Sequence, residues 1–326
     1  MRRTTFLLLA LVLLLAARLH AQDAMPDTTR TAPLTADSTI GELLSHPALD
    51  GFADMTLPWY GRDYDADQRL SEIAGMLPYH SAVDVPTVLD GLNRLIADSA
   101  AGLPVFEHLY SAEERAADAT LGAAGLFFFA GDPGAPFALI APGGGFSYVG
   151  SVHEGFPYAA RISDSGLNAF VLTYRTGGSG RPATQDMARA VDLIRDRAGV
   201  YRVSPDGYSV WGSSAGARMA AFIGSDTPAG HGGRTAQPPA AVVMAYTSHT
   251  ATGESDPPTY VVVGTQDRIA PPRNMAPRVE ALRQRGIEVT YAVIPDVGHG
   301  FGTGRGTAAE GWIDDAIAFW RRQLGE

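Results

Sequence analysis

One pentapeptide in the chain joins a nucleophile to the backbone geometry a nucleophile needs. Gly212, Ser213, Ser214, Ala215 and Gly216 follow the apolar run Tyr208–Trp211 directly and precede a helical run, Ala217–Ile223. Strand, sharp turn and helix in that order hold a serine hydroxyl exposed at a helix N-terminus. Glycines two residues to either side of Ser214 let strand and helix approach each other, whereas Ser213 lacks glycines at those offsets. In a chain with 37 glycines the pattern also arises by chance, as an ordinary tight turn. A second motif raises its weight. Pro142, Gly143, Gly144, Gly145 and Phe146 come immediately after the apolar run Phe137–Ala141, where backbone amides can converge on a developing oxyanion. The backbone amides of Gly144, Gly145 and Ala215 are the candidate donors. A phosphate cradle is the competing reading of this loop, but no Gly-Lys-Ser/Thr follows it. Phe146 and Tyr148, next to the glycines, are candidate substrate-binding residues.

A serine hydroxyl is a weak nucleophile until a base takes its proton. On a strand-turn-helix scaffold the partners follow in the order serine, acid, histidine. Of eight histidines only His231, His249 and His299 lie beyond Ser214. His231 sits in a Gly-rich loop and His249 precedes every sensible acid position. His299 comes just after the last apolar strand and before the terminal helix, so it is the expected general base. Asp267, just past the run Thr259–Gly264, is the expected orienting acid, because catalytic groups gather at the carboxyl ends of parallel strands. Asp296 is its rival, three residues from His299, with a loop cap as its simpler role. Glu154 and Arg175 read as members of a structural ion pair, with contact to a polar alcohol as the second reading; Asp186 reads as helix-dipole compensation. No two histidines share helical or hairpin spacing, so no metal is expected.

These residues need a scaffold, and the hydrophobic pattern describes one. Short apolar runs alternate with helical patterns after residue 103, which predicts an α/β fold with a mostly parallel sheet and helices on both faces. Candidate strands are Val105–Tyr110, Leu126–Ala130, Phe137–Ala141, Ala169–Tyr174, Tyr208–Gly212, Ala240–Tyr246, Thr259–Gly264 and Val289–Ile294. The later ones, apolar nearly throughout, are expected to be central and parallel. A helix is expected behind a Thr184 cap, with Met187, Val191 and Ile194 inward, and a final one around Trp312–Trp320. Ahead of this unit, residues 22 to about 38 read as a flexible leader. From about 40 to 102 the pattern is helical, with Val88, Leu92, Leu95 and Ile96 on one face after Pro86.

Residues 1–21 read as a secretory signal peptide: Arg2 and Arg3 precede an apolar run, Phe6–Ala17, that is too short to span a bilayer. Export to a periplasm or beyond is therefore expected, with no membrane association after removal. The chain has no cysteine, which excludes disulfides and thiolate chemistry. Every basic residue is arginine, which excludes a lysine Schiff base. The formal charge of −10 becomes −13 without Arg2, Arg3 and Arg18, leaving 22 basic against 35 acidic residues. Such a surface argues against nucleic acid as a partner.

Taken together, these motifs resemble the acetyl esterase branch of the α/β-hydrolases, the group that includes carbohydrate and xylan acetyl esterases. The resemblance spans roughly residues 103–326. It rests on Pro142–Phe146, on His153, Glu154 and Gly155, on Tyr174 and Arg175, on Gly212–Gly216, on Gly264–Asp267 with Pro271 and Pro272, and on Gly298–Gly302. It implies a Ser214–His299–Asp267 triad, hydrolysis of short-chain acyl esters of a small molecule or carbohydrate, and no cofactor. Pro142 departs from the histidine that relatives often carry before the glycines, and Ala217 from a second glycine after Gly216. Two alternatives stand beside this expectation of a secreted serine carboxylic ester hydrolase. One is a secreted serine peptidase of the same fold; the other is a carbohydrate-binding or interaction relative without catalysis.

Overall fold

The computed structural model describes residues 31–326. The expected signal peptide, residues 1–21, lies outside them. All eight expected strands form and pair into one sheet: β1 (Phe106–His108), β2 (Gly125–Phe129), β3 (Phe137–Ala141), β4 (Asn168–Thr173), β5 (Ser209–Ser213), β6 (Ala241–Ala245), β7 (Thr259–Gly264) and β8 (Val289–Ile294). Their spatial order is β1-β2-β4-β3-β5-β6-β7-β8. The pairs β1/β2 and β2/β4 are antiparallel, and every later pair is parallel. Strands β2 through β7 are buried throughout, which is why they read as continuous apolar runs. β8 departs from the expectation of a central strand. It is parallel but forms the sheet's edge, and none of its residues is fully buried.

Helices cover both faces: α1 (Val85–Ala100), α2 (Phe156–Asp164), α3 (Arg181–Asp196), α4 (Ala215–Asp226), α5 (Pro272–Gln284) and α6 (Trp312–Leu324). α1, α2 and α6 share a core with one face of the sheet through Leu92, Phe156 and Trp320, packed with Phe127, Val171 and Trp211. α3, α4 and α5 cover the other face through Val191, Met219 and Met275. α1 begins where the sequence indicates. The Asp84 carboxylate accepts from Thr87 N at 3.0 Å, Pro86 occupies the first turn, and Val88, Leu92, Leu95 and Ile96 are buried. α3 starts earlier than expected. Gly180 is its N-cap and Thr184 lies inside the first turn, donating back to Gly180 O at 3.0 Å. Pro182 in that turn sets the start.

The N-terminal region is less helical than its pattern, since between residues 47 and 76 it forms only short 3₁₀ turns, Pro47–Leu49, Ala53–Thr56 and Leu70–Met76, joined by irregular segments. It contributes Ile40, Leu43, Leu70 and Ile73 to the same core as the sheet. The described part of the expected flexible leader is docked: Leu34 is buried, and its N–H and C=O pair with the Asn93 amide at 2.7 and 2.9 Å. A side-chain amide satisfies both backbone groups there, an interaction that composition does not reveal.

A buried ion pair ties the segment after β6 to α5. Asp256 accepts from Arg278 at 2.8 Å with both side chains fully buried, and also from Arg285, Ser225 and Gly253 N. Arg278 in turn donates to Ala251 O. Removing one partner strands a buried charge, a loss of about 3–5 kcal/mol. Asp256→Ala should lower the urea-unfolding free energy by about that amount, whereas a change under about 1 kcal/mol would show that the pair does not organise this segment.

Candidate active site

β5 ends at Ser213, and the chain turns so sharply that Ser214 takes φ 50°, ψ −111°. A non-glycine residue in such a conformation costs about 1–3 kcal/mol and persists only where its surroundings enforce it. The enforcement is visible. Ser214 N–H is held by Ala245 O at 2.8 Å, and a β-carbon on Gly216 would lie 1.8 Å from Ala141 O. Ser213 is fully buried and donates to Tyr158 Oη at 3.3 Å, so the hydroxyl that reaches the cleft is that of Ser214.

His299 Nε2 lies 2.9 Å from Ser214 Oγ, and His299 Nδ1 lies 2.8 Å from Asp267 Oδ2. The other Asp267 oxygen accepts two amides, Ile269 N at 2.8 Å and Ala270 N at 2.7 Å. A carboxylate so bound only accepts, so Nδ1 carries the imidazole proton and Nε2 is left to accept from the serine. Asp267 and His299 are both buried. Asp296 does not take part: it is exposed, at φ 58°, and accepts from Gln266 Nε2 at 3.0 Å.

Gly145 and Ala215 line a cleft of about 540 Å³ together with Ser214, and Gly144 sits one residue behind. The amides of Gly144, Gly145 and Ala215 make no hydrogen bond to another described residue. Gly144 has φ 133°, and a β-carbon there would meet Tyr148 O at 2.1 Å, so only glycine fits. Negative charge forming beside Ser214 would therefore find unsatisfied donors.

Comparison with known proteins agrees with this topology. Among solved structures, an alpha/beta hydrolase from a Medee basin deep-sea metagenome library superposes with a TM-score of 0.53 at 23% identity, covering 62% of this chain and 93% of its own. An acetyl ester-xyloside bifunctional hydrolase from Caldicellulosiruptor lactoaceticus gives 0.52 at 19% identity, over 62% and 88%. The chain has the α/β-hydrolase fold. The prolyl oligopeptidase family matches residues 243–326. An acetylxylan esterase from Xylanibacter ruminicola is 24% identical over 193 residues, 50% of this chain and 40% of that one. Endo-1,4-beta-xylanase B of Butyrivibrio fibrisolvens is 35% identical over 86 residues, 25% of this chain and 13% of that one. The chain thus spans less than half the length of these curated relatives.

Within this α/β-hydrolase site several residues fall elsewhere than the sequence indicates. Phe146 lines the cleft, but Tyr148 does not: it is fully buried, packed against Trp59 and Tyr79, with its hydroxyl on His80 Nδ1 at 2.8 Å. Glu154 and Arg175 are each paired, though not with one another. Arg175 pairs at 2.7 Å with Asp186, which is thus a buried ion-pair partner and not only a dipole compensator. Glu154 is fully buried against His80 Nε2 at 3.0 Å. Burial alone would raise its carboxyl, but His80 overrides this and holds it down at about 2. The cleft also takes Arg218, Phe222, Tyr246, His249 and Ile269, which sequence reasoning missed. A signal existed for Arg218 and Phe222, four and eight residues beyond Ser214 and hence on its side of α4. Tyr246–Ala251 were findable as the segment at the carboxyl end of β6.

His153 and His249 are both depressed to about 4, the first chiefly by burial and then by His80, the second chiefly by burial and then by Arg278. Each stays neutral in the folded chain while the unfolded chain takes up a proton below about 6.5. Their stability contribution is therefore full above pH 6.5 and declines as pH falls toward 4. Urea-unfolding free energy should drop over that window by at most about 1.4 kcal/mol per pH unit per histidine. His249→Asn should flatten the decline; an unchanged slope would remove His249 from this account.

Proposed function

We propose that this protein is a serine esterase that hydrolyses short-chain acyl esters, acetyl esters first among them, through an acyl-enzyme on Ser214. The single observation that carries the reading is the hydrogen-bonded chain from Ser214 Oγ through His299 to Asp267, opening onto a cleft beside free amides. In the first half-reaction Ser214 Oγ attacks the ester carbonyl as His299 Nε2 takes its proton. The amides of Gly144, Gly145 and Ala215 hold the oxyanion. His299 then gives the proton to the departing alcohol, and water, deprotonated in turn by His299, releases the acid and restores the serine. Asp267 stays ionised, fixes the tautomer and stabilises the imidazolium.

The cleft bears on the substrate. Its walls are apolar at Phe146, Phe222, Ile269 and Ala270, and polar at Thr247, Ser248, Thr250 and Arg218. A volume of about 540 Å³ exceeds what an acetyl group fills, leaving room for a polar alcohol such as a sugar. The likeness to an acetylxylan esterase supports a carbohydrate ester. Arg2, Arg3 and the apolar run Phe6–Ala17 support export. Among the described residues no helix is long and apolar enough to cross a membrane.

The match of residues 243–326 to the prolyl oligopeptidase family favours a second reading, a serine peptidase using the same groups. That segment carries Asp267 and His299 but not Ser214. Residues 31–102 pack against one face of the sheet.

Two measurements decide. p-Nitrophenyl acetate turnover should fall about 1,000-fold or more in Ser214→Ala and comparably in His299→Gln; equal turnover by wild type and Ser214→Ala would sink the esterase. Esters should outpace matched aminoacyl amides in kcat/KM by at least about 100-fold, and the reverse preference would establish the peptidase.

A further inference from the structure

Burying a carboxylate costs several kcal/mol unless its surroundings return that energy, and the proposed reaction leaves the fully buried Glu154 without a chemical step. Its partners each belong to a different part of the site. Glu154 Oε2 accepts from Gly143 N at 2.5 Å, at the base of the loop that carries Gly144 and Gly145. Tyr246, a cleft residue whose ring packs edge-to-face on His299 with the ring centres 5.2 Å apart, donates its hydroxyl to Glu154 Oε1 at 2.7 Å. The third partner, His80, comes from the N-terminal region; its side chain is 2% exposed.

His80 also grips the far end of the same loop. Its Nε2 faces Glu154 and its Nδ1 lies 2.8 Å from Tyr148 Oη, so one imidazole joins the carboxylate beneath Gly143 to the residue that closes the turn. Its neighbours extend the hold. The Tyr79 ring lies beside Gly145, close enough that a β-carbon there would be 3.0 Å away. Ser81 Oγ donates to His299 O at 2.6 Å, and Ser81 N donates to Gly300 O at 3.0 Å. Three consecutive residues thus touch both the glycine loop and the histidine loop.

We infer that Glu154 and His80 are positioning residues that hold the Gly144 and Gly145 amides where the oxyanion forms, so that the N-terminal region completes the active site instead of only covering the sheet. The inference rests on the esterase reading. An amide displaced by a fraction of an ångström binds a developing charge less well but a ground-state ester almost equally, so the effect belongs in kcat and not KM.

The experiment uses the full chain and the variants Glu154→Gln, Glu154→Ala and His80→Gln. Competent sites are counted by exhaustive labelling of Ser214 with a fluorophosphonate, and kcat per labelled site and KM are measured on p-nitrophenyl acetate. Affinity is also measured for an alkyl trifluoromethyl ketone, which forms a tetrahedral adduct on the serine. In Glu154→Ala, kcat per site should fall about 100-fold, with KM within about threefold and ketone affinity falling in step. Glu154→Gln, which keeps an acceptor for Gly143, should recover about tenfold of that loss, and His80→Gln should lose about tenfold. If Glu154→Ala does not fold, the two glutamine variants carry the test. A merely structural role would reduce the number of labelled sites and leave kcat per site unchanged, and that result, or a change in KM alone, would overturn the inference. Normal variants beside an active wild type refute only this inference. A wild type that neither labels nor hydrolyses refutes the esterase reading, and this inference with it.

Discussion

The site depends on a backbone that has no freedom to relax at Ser214. Its torsions are unfavourable for any residue with a side chain, and the turn is held on both sides by strands flanking β5. On the β6 side Ala245 O takes the Ser214 amide; on the β3 side Gly216 lies against Ala141 O. A β-carbon on Gly212 would likewise lie 2.3 Å from Gly216, so strand and helix meet only because both positions are glycine. The hydroxyl is presented to the cleft because the centre of a parallel sheet, dense and fully hydrogen-bonded, leaves the turn nowhere else to go.

Parallel pairing does the rest of the assembly. From β3 onward every strand runs the same way, so the segments that follow β3, β5, β6, β7 and β8 all leave from one edge of the sheet. Those segments carry the glycine loop, Ser214, the cleft wall, Asp267 and His299. Asp267 is locked by two amides of its own loop. The histidine loop is fastened from outside the sheet, at His299 O by Ser81 and at Gly300 O by Ser81 N and His153 Nε2, the last at 3.0 Å. Orientation of the imidazole therefore depends on residues distant in sequence as well as on the acid beside it.

Polar chemistry also lies behind the cleft. His80, His153, Glu154, Tyr158 and Tyr246 form a buried network joined to Ser213 and Gly143. Burial pushes the Tyr158 and Tyr246 hydroxyls far above their ordinary range, so they stay protonated and act as donors. Such a network is directional, whereas an apolar core of equal volume would not distinguish one loop position from another.

Much of this was legible in one dimension because its causes are local or periodic. Strands buried on both faces are apolar along their whole length, so β2 through β7 stood out as continuous runs, while the half-buried edge strands β1 and β8 were found from shorter apolar patterns. A turn that brings strand and helix into contact needs glycine at fixed offsets, which singled out Ser214 over Ser213. The histidine and acid followed from their places just after strands. What pattern could not supply were distances between segments far apart in the chain. Tyr148, next to the glycines in sequence, points into the core. Glu154 pairs with a histidine 74 positions away, and the leader at Leu34 docks on Asn93. Propensity and periodicity report each segment's own preference, while a buried polar group takes its partner from whichever segment the packed core brings within 3 Å. That choice was made only by the tertiary structure.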